Sequence, residues 1–203
     1  MRIEAVVPLK DIARGKSRLA GALAEPERVR LIRAMLGRVI EAVSSVAGLA
    51  RVSVLTVDPR LVPETALHLQ DTGAELNAAL ASAALTRQAA GARALLILAA
   101  DLPFITREDV SALVEASRSG CVVAAPDWND AGTNALAFPL GCDFTLRFGP
   151  GSLAAHEAEA RGASLPWQVV RRPGLAFDLD EPTQLAALAG EERYAFLPQS
   201  SVR

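Results

Sequence analysis

The chain is poor in sulfur and imidazole, with two cysteines, Cys121 and Cys142, and two histidines, His68 and His156, in 203 residues. Cysteines so far apart are not spaced as a redox or metal pair, so a reduced, cytoplasmic protein is expected. Two histidines leave little room for a histidine-built metal centre, and any metal chemistry then falls to carboxylates. A charge bias is missing too. The net charge of −2 gives no electrostatic footprint for nucleic acid, and the 51% apolar content excludes a disordered chain. Long apolar runs are absent: the uncharged stretch 131–142 is too short for a bilayer and contains Gly and Pro. No membrane partner is expected. Arg2 leads directly into the strand-like "IEAVVPL" with no small-residue cleavage site, so no signal peptide is expected either. Repeats and low-complexity linkers are lacking, and the length suits one α/β domain, with a core over about 2–190 and a tail over 191–203.

Lysine is the scarcest charged residue, and its placement is informative. Of 21 basic residues only Lys10 and Lys16 are lysines, and both fall in "VVPLKDIARGKSRLAG" (6–21) with Arg14 and Arg18. Lysine is a compact, mobile point charge, whereas arginine is a planar fork, so this loop is marked out for point charges. Gly15-Lys16-Ser17 resembles the end of a P-loop, but the glycine that motif needs five positions earlier is Lys10. A Gly-x-Gly-x-x-Gly turn is absent as well. What remains is a cationic loop after the first strand, suited to holding a triphosphate by side chains rather than by backbone amides. An ordinary solvated basic loop is the alternative.

The hydrophobic pattern alternates strands with helices. "RIEAVVPL" (2–9) reads as a buried strand, and apolar residues from Ile32 to Val46 recur at helical spacing. Strand 51–57, a poorly patterned connection, helix 76–88, strand 94–101 and helix 107–117 follow; Thr106 and Asp109 approach a capping box. Strands 121–126 and 133–139 flank a turn, "GPGSLAAHEAEARG" (149–162) opens a helix with Ser152 as its cap, and "WQVVRR" and "LAFDLD" are short strand-like pieces. A last helix spans 181–190. Such alternation predicts a mostly parallel sheet covered on both faces, with ligands outside the carboxyl ends of its strands.

Four stretches carry candidate chemistry at that edge. Asp101 in "ILAADLPF" follows seven apolar residues, where a metal-binding carboxylate or a turn-capping aspartate belongs. Asp178 and Asp180 in "AFDLDEP" are two apart, so an extended backbone points both to one side. Three carboxylates suit Mg²⁺, which takes few protein ligands plus water and phosphate oxygens. "RFGPGSLAAH" offers a helix N-terminus for an anion, and "GTN" (132–134) puts small residues at a strand start. His156 reads as structural.

In this order, "VPLKDIARGKSRL", "ELNAAL", "ADLPFIT", "GTNAL", "RFGPGS" and "GLAFDLDEP" resemble the 2-phospho-L-lactate guanylyltransferases, the CofC/FbiD family of deazaflavin coenzyme F-420 biosynthesis. The likeness runs from about Val6 to Leu188. It implies a three-layer α/β/α nucleotidyltransferase fold, like that of nucleotide-diphospho-sugar transferases, with a mixed, mostly parallel sheet. It implies that Asp101, Asp178 and Asp180 bind Mg²⁺, with Asp101 and Lys16 catalytic. It further implies that Thr133, Gly149 and Ser152 hold a small phosphorylated carboxylic acid, and that Lys10, Lys16, Arg18 and Asn77 contact GTP. Glu75 stands where the family commonly has glycine. A homodimer is compatible with the sequence. Two other readings stay open: a metal-dependent glycosyltransferase with "DLD" as its metal motif, and a non-catalytic nucleotide-binding relative.

Overall fold

The computed structural model describes residues 2–10 and 16–188. Its elements are β1 (Ile3–Pro8), α1 (Glu25–Ser44), β2 (Leu49–Thr56), β3 (Leu67–Gln70), α2 (Leu76–Ala89), β4 (Ala94–Leu98) and α3 (Arg107–Ser117). Then come β5 (Val122–Pro126), β6 (Thr133–Pro139), α4 (Ser152–Gly162), β7 (Trp167–Val169), α5 (Pro173–Ala176) and α6 (Pro182–Leu188). The strands form a seven-stranded sheet in the order β3-β2-β1-β4-β6-β5-β7. Every neighbouring pair is parallel except those made by β6, which runs against both β4 and β5. This is the mixed, mostly parallel sheet of a three-layer α/β/α fold.

Alternation along the strands sorts the core into two slabs. Ala5, Val7, Val54, Leu96 and Leu98 face one side, where Leu31, Met35, Val39 and Val43 of α1 and Val110 and Leu113 of α3 cover them. Val6, Leu55, Leu95, Ile97, Leu136 and Phe138 face the other, against Leu80, Ala83 and Ala84 of α2 and Ala160 of α4. No helix among the described residues is long and apolar enough to cross a membrane.

Several local readings hold. Thr106 and Asp109 form a reciprocal capping box, with Asp109 N–H donating to Thr106 Oγ1 at 3.3 Å and Thr106 N–H donating to Asp109 Oδ2 at 3.0 Å. Others change. The connection after β2 contains β3, a four-residue edge strand too short to carry a period. Strand β4 ends at Leu98, leaving Asp101 in the turn beyond it. "LAFDLD" is no strand: α5 ends at Ala176 and 177–180 runs without regular structure. Gly151 (φ 70°), not Ser152, caps α4, because the chain enters that helix through a left-handed turn that glycine adopts freely. The buried Glu4 interrupts the apolar run of β1 and is paired with Arg2 at 2.8 Å and Arg87 at 2.6 Å.

Candidate active site

Because β6 is reversed, its first residue lies at the same edge of the sheet as the carboxyl ends of β1, β4, β5 and β7. The candidate residues from distant parts of the sequence gather along that edge. At one end, a cavity of about 320 Å³ opens over β1 and β4. Its walls are Pro8, Leu9, Ile32, Met35, Leu76, Ala99 and Ala100, and its charged rim is Lys10, Lys16, Asp101 and Asp180.

Lys16 is the centre of that rim. Its backbone is left-handed (φ 54°), an unusual state for a residue with a Cβ and a mark of a position held by its contacts. Its ammonium donates to Asp101 Oδ2 and to Asp180 Oδ1, each at 2.5 Å, and its side chain is only 7% exposed. Burial by itself would lower the lysine's pKa, but the two carboxylates outweigh it and hold the ammonium above its ordinary value. Arg18 lies further out, 3.8 Å from Asp180 Oδ2. Lys10 extends over the opposite lip, with Nζ 3.5 Å from the Ala74 carbonyl. Arg14 lies outside the described residues.

Asp178 and Asp180 reach Asp101 through backbone, not through strand pairing. Leu179 N–H donates to the Asp101 carbonyl at 3.2 Å, and the Leu179 side chain is fully buried. With Leu179 anchored in the core, the aspartates on either side are left at the surface of the cleft. Burial, then the nearby Asp101 and Asp180 charges, push the Asp178 carboxyl above its usual range. Gln184 Oε1 accepts from Asp180 N–H at 2.7 Å and from Glu181 N–H at 2.8 Å, the return half of a capping box for α6. The Asp180 carboxylate is therefore free for Lys16 rather than occupied as a helix cap.

Among the described residues no three acidic, histidine or cysteine side chains form a ready-made metal cage. The electrostatics nevertheless fit a cation: Lys16 already places a positive charge between Asp101 and Asp180, and added positive charge would offset the neighbouring carboxylates that push the Asp178 carboxyl up. Mg²⁺ needs only one or two carboxylates and fills its sphere with water and phosphate oxygens.

Next along the edge is a cluster of hydroxyls. Ala99 N–H donates to the Asn134 carbonyl at 2.8 Å, which sets the start of β6 beside the turn that carries Asp101. Thr133 Oγ1 is 3.0 Å from Ser152 Oγ and 3.2 Å from His156 Nδ1. Gly149 has φ 139°, a conformation that a side chain would strain, and its carbonyl accepts from Ser152 N–H at 3.1 Å. Thr133, Gly149 and Ser152, which the resemblance groups, thus lie together, with Ser152 turned inward instead of capping α4.

Asn77, which the resemblance sets near the nucleoside, has its side-chain amide engaged within the protein. Its amide donates to the Phe148 carbonyl at 2.9 Å and accepts from Phe148 N–H at 2.8 Å, so both ends hold the loop that carries Gly149. Glu75 is the exposed residue before α2 and caps nothing with its side chain. Sequence reasoning missed Asn134, whose buried amide donates to the Leu175 and Ala176 carbonyls and ties β6 to the segment leading to Asp178. It also missed Gln184, three residues after Glu181, whose signal was the capping-box spacing.

A mixed sheet with this strand order, a cavity rimmed by lysines and aspartates, and an adjacent hydroxyl cluster define a nucleotidyltransferase-type α/β protein. A candidate nucleotide-diphospho-sugar transferase from Desulfovibrio desulfuricans G20 has the same fold. Its TM-score is 0.76 at 15% identity, over 97% of this chain and 94% of that one. The family model "Guanylyl transferase CofC like" matches residues 3–197, and the chain belongs to that family. Similar curated proteins include the phosphoenolpyruvate guanylyltransferases of Rubrobacter xylanophilus and Sphaerobacter thermophilus. The first is 40% identical over 98% of this chain and 99% of its own length; the second is 38% identical over 92% of each.

Proposed function

We propose that this enzyme transfers GMP from GTP to a small phosphorylated three-carbon acid and releases pyrophosphate, with Mg²⁺ as its metal. Candidate acceptors are phosphoenolpyruvate, 2-phospho-L-lactate and 3-phosphoglycerate, and the relatives' names put phosphoenolpyruvate first in line for testing. A place in coenzyme F-420 biosynthesis is part of the same proposal. The observation that carries it is the clasp of Lys16 by Asp101 and Asp180 on the wall of the cavity. It stands one strand away from the Thr133–Ser152 hydroxyl pair.

In this reaction an oxygen of the acceptor's phosphate attacks the α-phosphorus of GTP. A phosphorus–oxygen bond forms there, the bond to the departing pyrophosphate breaks in line, and the two substrates are joined by a diphosphate. The acceptor phosphate is already mostly deprotonated at neutral pH, so no side chain is needed to remove a proton. The protein's work is to bring two anions together and neutralise them. Asp101, Asp178 and Asp180 would hold Mg²⁺, which when bound supplies positive charge to the phosphate oxygens. The Lys16 ammonium, with Lys10 and Arg18, would bind the triphosphate. Thr133, Ser152 and the backbone after Gly149 hold the acceptor's anionic end.

The test is pyrophosphate release from GTP with each acid in turn, with and without Mg²⁺, by wild type and Asp101→Asn. Release with at least one acid, dependent on the metal and lost in a folded Asp101→Asn protein, is expected. No release with any acid, or turnover of a sugar nucleotide instead, would refute the proposal.

A further inference from the structure

His156 takes no part in the chemistry above, yet it is fully buried, packs against Phe144 and Phe148, and is bonded through both ring nitrogens. Arg147 N–H donates to its Nε2 at 3.0 Å. A backbone N–H can only donate, so Nε2 carries a lone pair, and the neutral ring has its proton on Nδ1. Burial holds the imidazole's pKa down to about 4, against the upward pull of Glu159, so the ring stays neutral at ordinary pH.

This tautomer sets the polarity of the neighbouring hydroxyls. His156 Nδ1, Thr133 Oγ1 and Ser152 Oγ form a chain of two contacts, at 3.2 Å and 3.0 Å. They carry three protons: one on the imidazole and one on each hydroxyl. The Nδ1 proton fills the first contact and one hydroxyl proton fills the second, so the remaining hydroxyl proton has no acceptor within the cluster. With the opposite tautomer, Thr133 would donate to Nδ1 and Ser152 to Thr133. The cluster would then face its ligand with lone pairs only.

We propose that His156 is a positioning residue for the acceptor subsite, whose Nδ1–H obliges the Thr133–Ser152 pair to present an O–H donor and so to select an anionic oxygen. This rests on the acceptor reading of Thr133 and Ser152 given above. It assigns to His156 the sign of the subsite, not merely its shape. A hydrogen bond from a neutral donor to a charged oxygen changes binding by about tenfold to a hundredfold.

Three substitutions separate the roles. His156→Asn keeps an N–H donor near the Nδ1 position, His156→Gln keeps an acceptor near the Nε2 position for Arg147 N–H, and His156→Phe keeps neither. The acceptor's KM is expected to stay close to wild type in His156→Asn. It should rise by about tenfold or more in His156→Gln and His156→Phe, with the KM for GTP unchanged. Equal effects of Asn and Gln, or a rise in both KM values together, would overturn the proposal.

The tautomer is also readable without activity, from long-range proton–nitrogen NMR of the two histidine rings at mildly alkaline pH, with His68→Gln for assignment. His68 Nε2 lies 2.9 Å from the Thr56 carbonyl, which can only accept, so His68 must carry its proton on Nε2 and serves as the internal contrast. One ring of each tautomer is expected, and an Nε2–H His156 would overturn the proposal. If wild type uses none of the acids, the functional proposal fails separately, while the spectrum still decides the proton's position.

Discussion

Replacing Lys16 with methionine keeps the unbranched apolar stem of the side chain and removes the ammonium held by Asp101 and Asp180. Removing one partner of a buried ion pair typically costs ~3–5 kcal/mol, because the other charge is left without compensation. Here Asp101 and Asp180 keep 28% and 41% of their side-chain exposure, so water screens part of that charge. The expected cost is about 1–3 kcal/mol. For a domain of this size that corresponds to a fall in Tm of about 2–12 °C. The folded-state pKa of Lys16 lies above its unfolded value, so its contribution is fully present below about pH 10 and lost only as pH rises further. At pH 7 the whole effect is therefore visible. The assay is thermal unfolding of wild type and Lys16→Met at pH 7, each with and without millimolar Mg²⁺. Without metal, the variant should melt lower. With metal, it should recover more than wild type gains, since in wild type the ion must displace an ammonium already in place. Equal melting temperatures without metal, or equal gains with it, would show that Lys16 does not occupy a cation's place.

Asp178→Asn should act oppositely on stability and activity. A carboxyl whose pKa is raised in the folded state favours folding below its unfolded pKa and opposes it as pH rises. The metal-free variant should thus resist urea better than wild type at pH 7 and lose that advantage near pH 4, while turnover drops; lower stability at pH 7 would contradict this. His156 gives a second pH signature. Its pKa falls from 6.5 to about 4 on folding, so below pH 6.5 the unfolded chain takes up a proton that the folded chain refuses. Stability should fall by about 3 kcal/mol between those limits, and urea titrations of His156→Gln over the same range should show a shallower fall; identical slopes would refute it. In Gly174→Ala, the new Cβ would press on Asp109 Oδ2 and the Phe104 carbonyl, and Asp109 is buried and held by Arg172 at 2.7 Å. A loss of about 1–3 kcal/mol in chemical denaturation is expected, and a change near zero would show that the cluster yields freely.

The acidic half of the site was legible because local chemistry announces it. An aspartate ending an apolar run can be marked without knowing the rest of the fold. Two aspartates two residues apart were marked as a pair, although the strand expected to align them is absent and the buried Leu179 sets them instead. The capping box at Thr106 was legible for the same reason, since its partners are three residues apart. Contacts between distant residues were not. Asn77 reaches Phe148 across 71 positions and Lys16 reaches Asp180 across 164, and no spacing rule connects such pairs. Ser152 was misread as a cap because a serine after glycine has cap chemistry; only the left-handed Gly151 and the hydroxyl of Thr133 redirect it. The reversal of β6 escaped notice because an apolar strand has the same pattern in either direction.

That reversal has a consequence for how the enzyme can diversify. Lys10, Lys16 and most of the cavity wall come from the part of the chain up to Asp101. Thr133, Gly149, Ser152 and His156 all come after it, and are brought alongside by a strand that runs backwards. On the proposed reading, the residues assigned to GTP and those assigned to the acceptor therefore come from two separate stretches, joined by the acids at their seam and by Asn77, which holds the loop that carries Gly149. Under the proposed function, substitutions in the later stretch are expected to change the KM for the acid more than the KM for GTP.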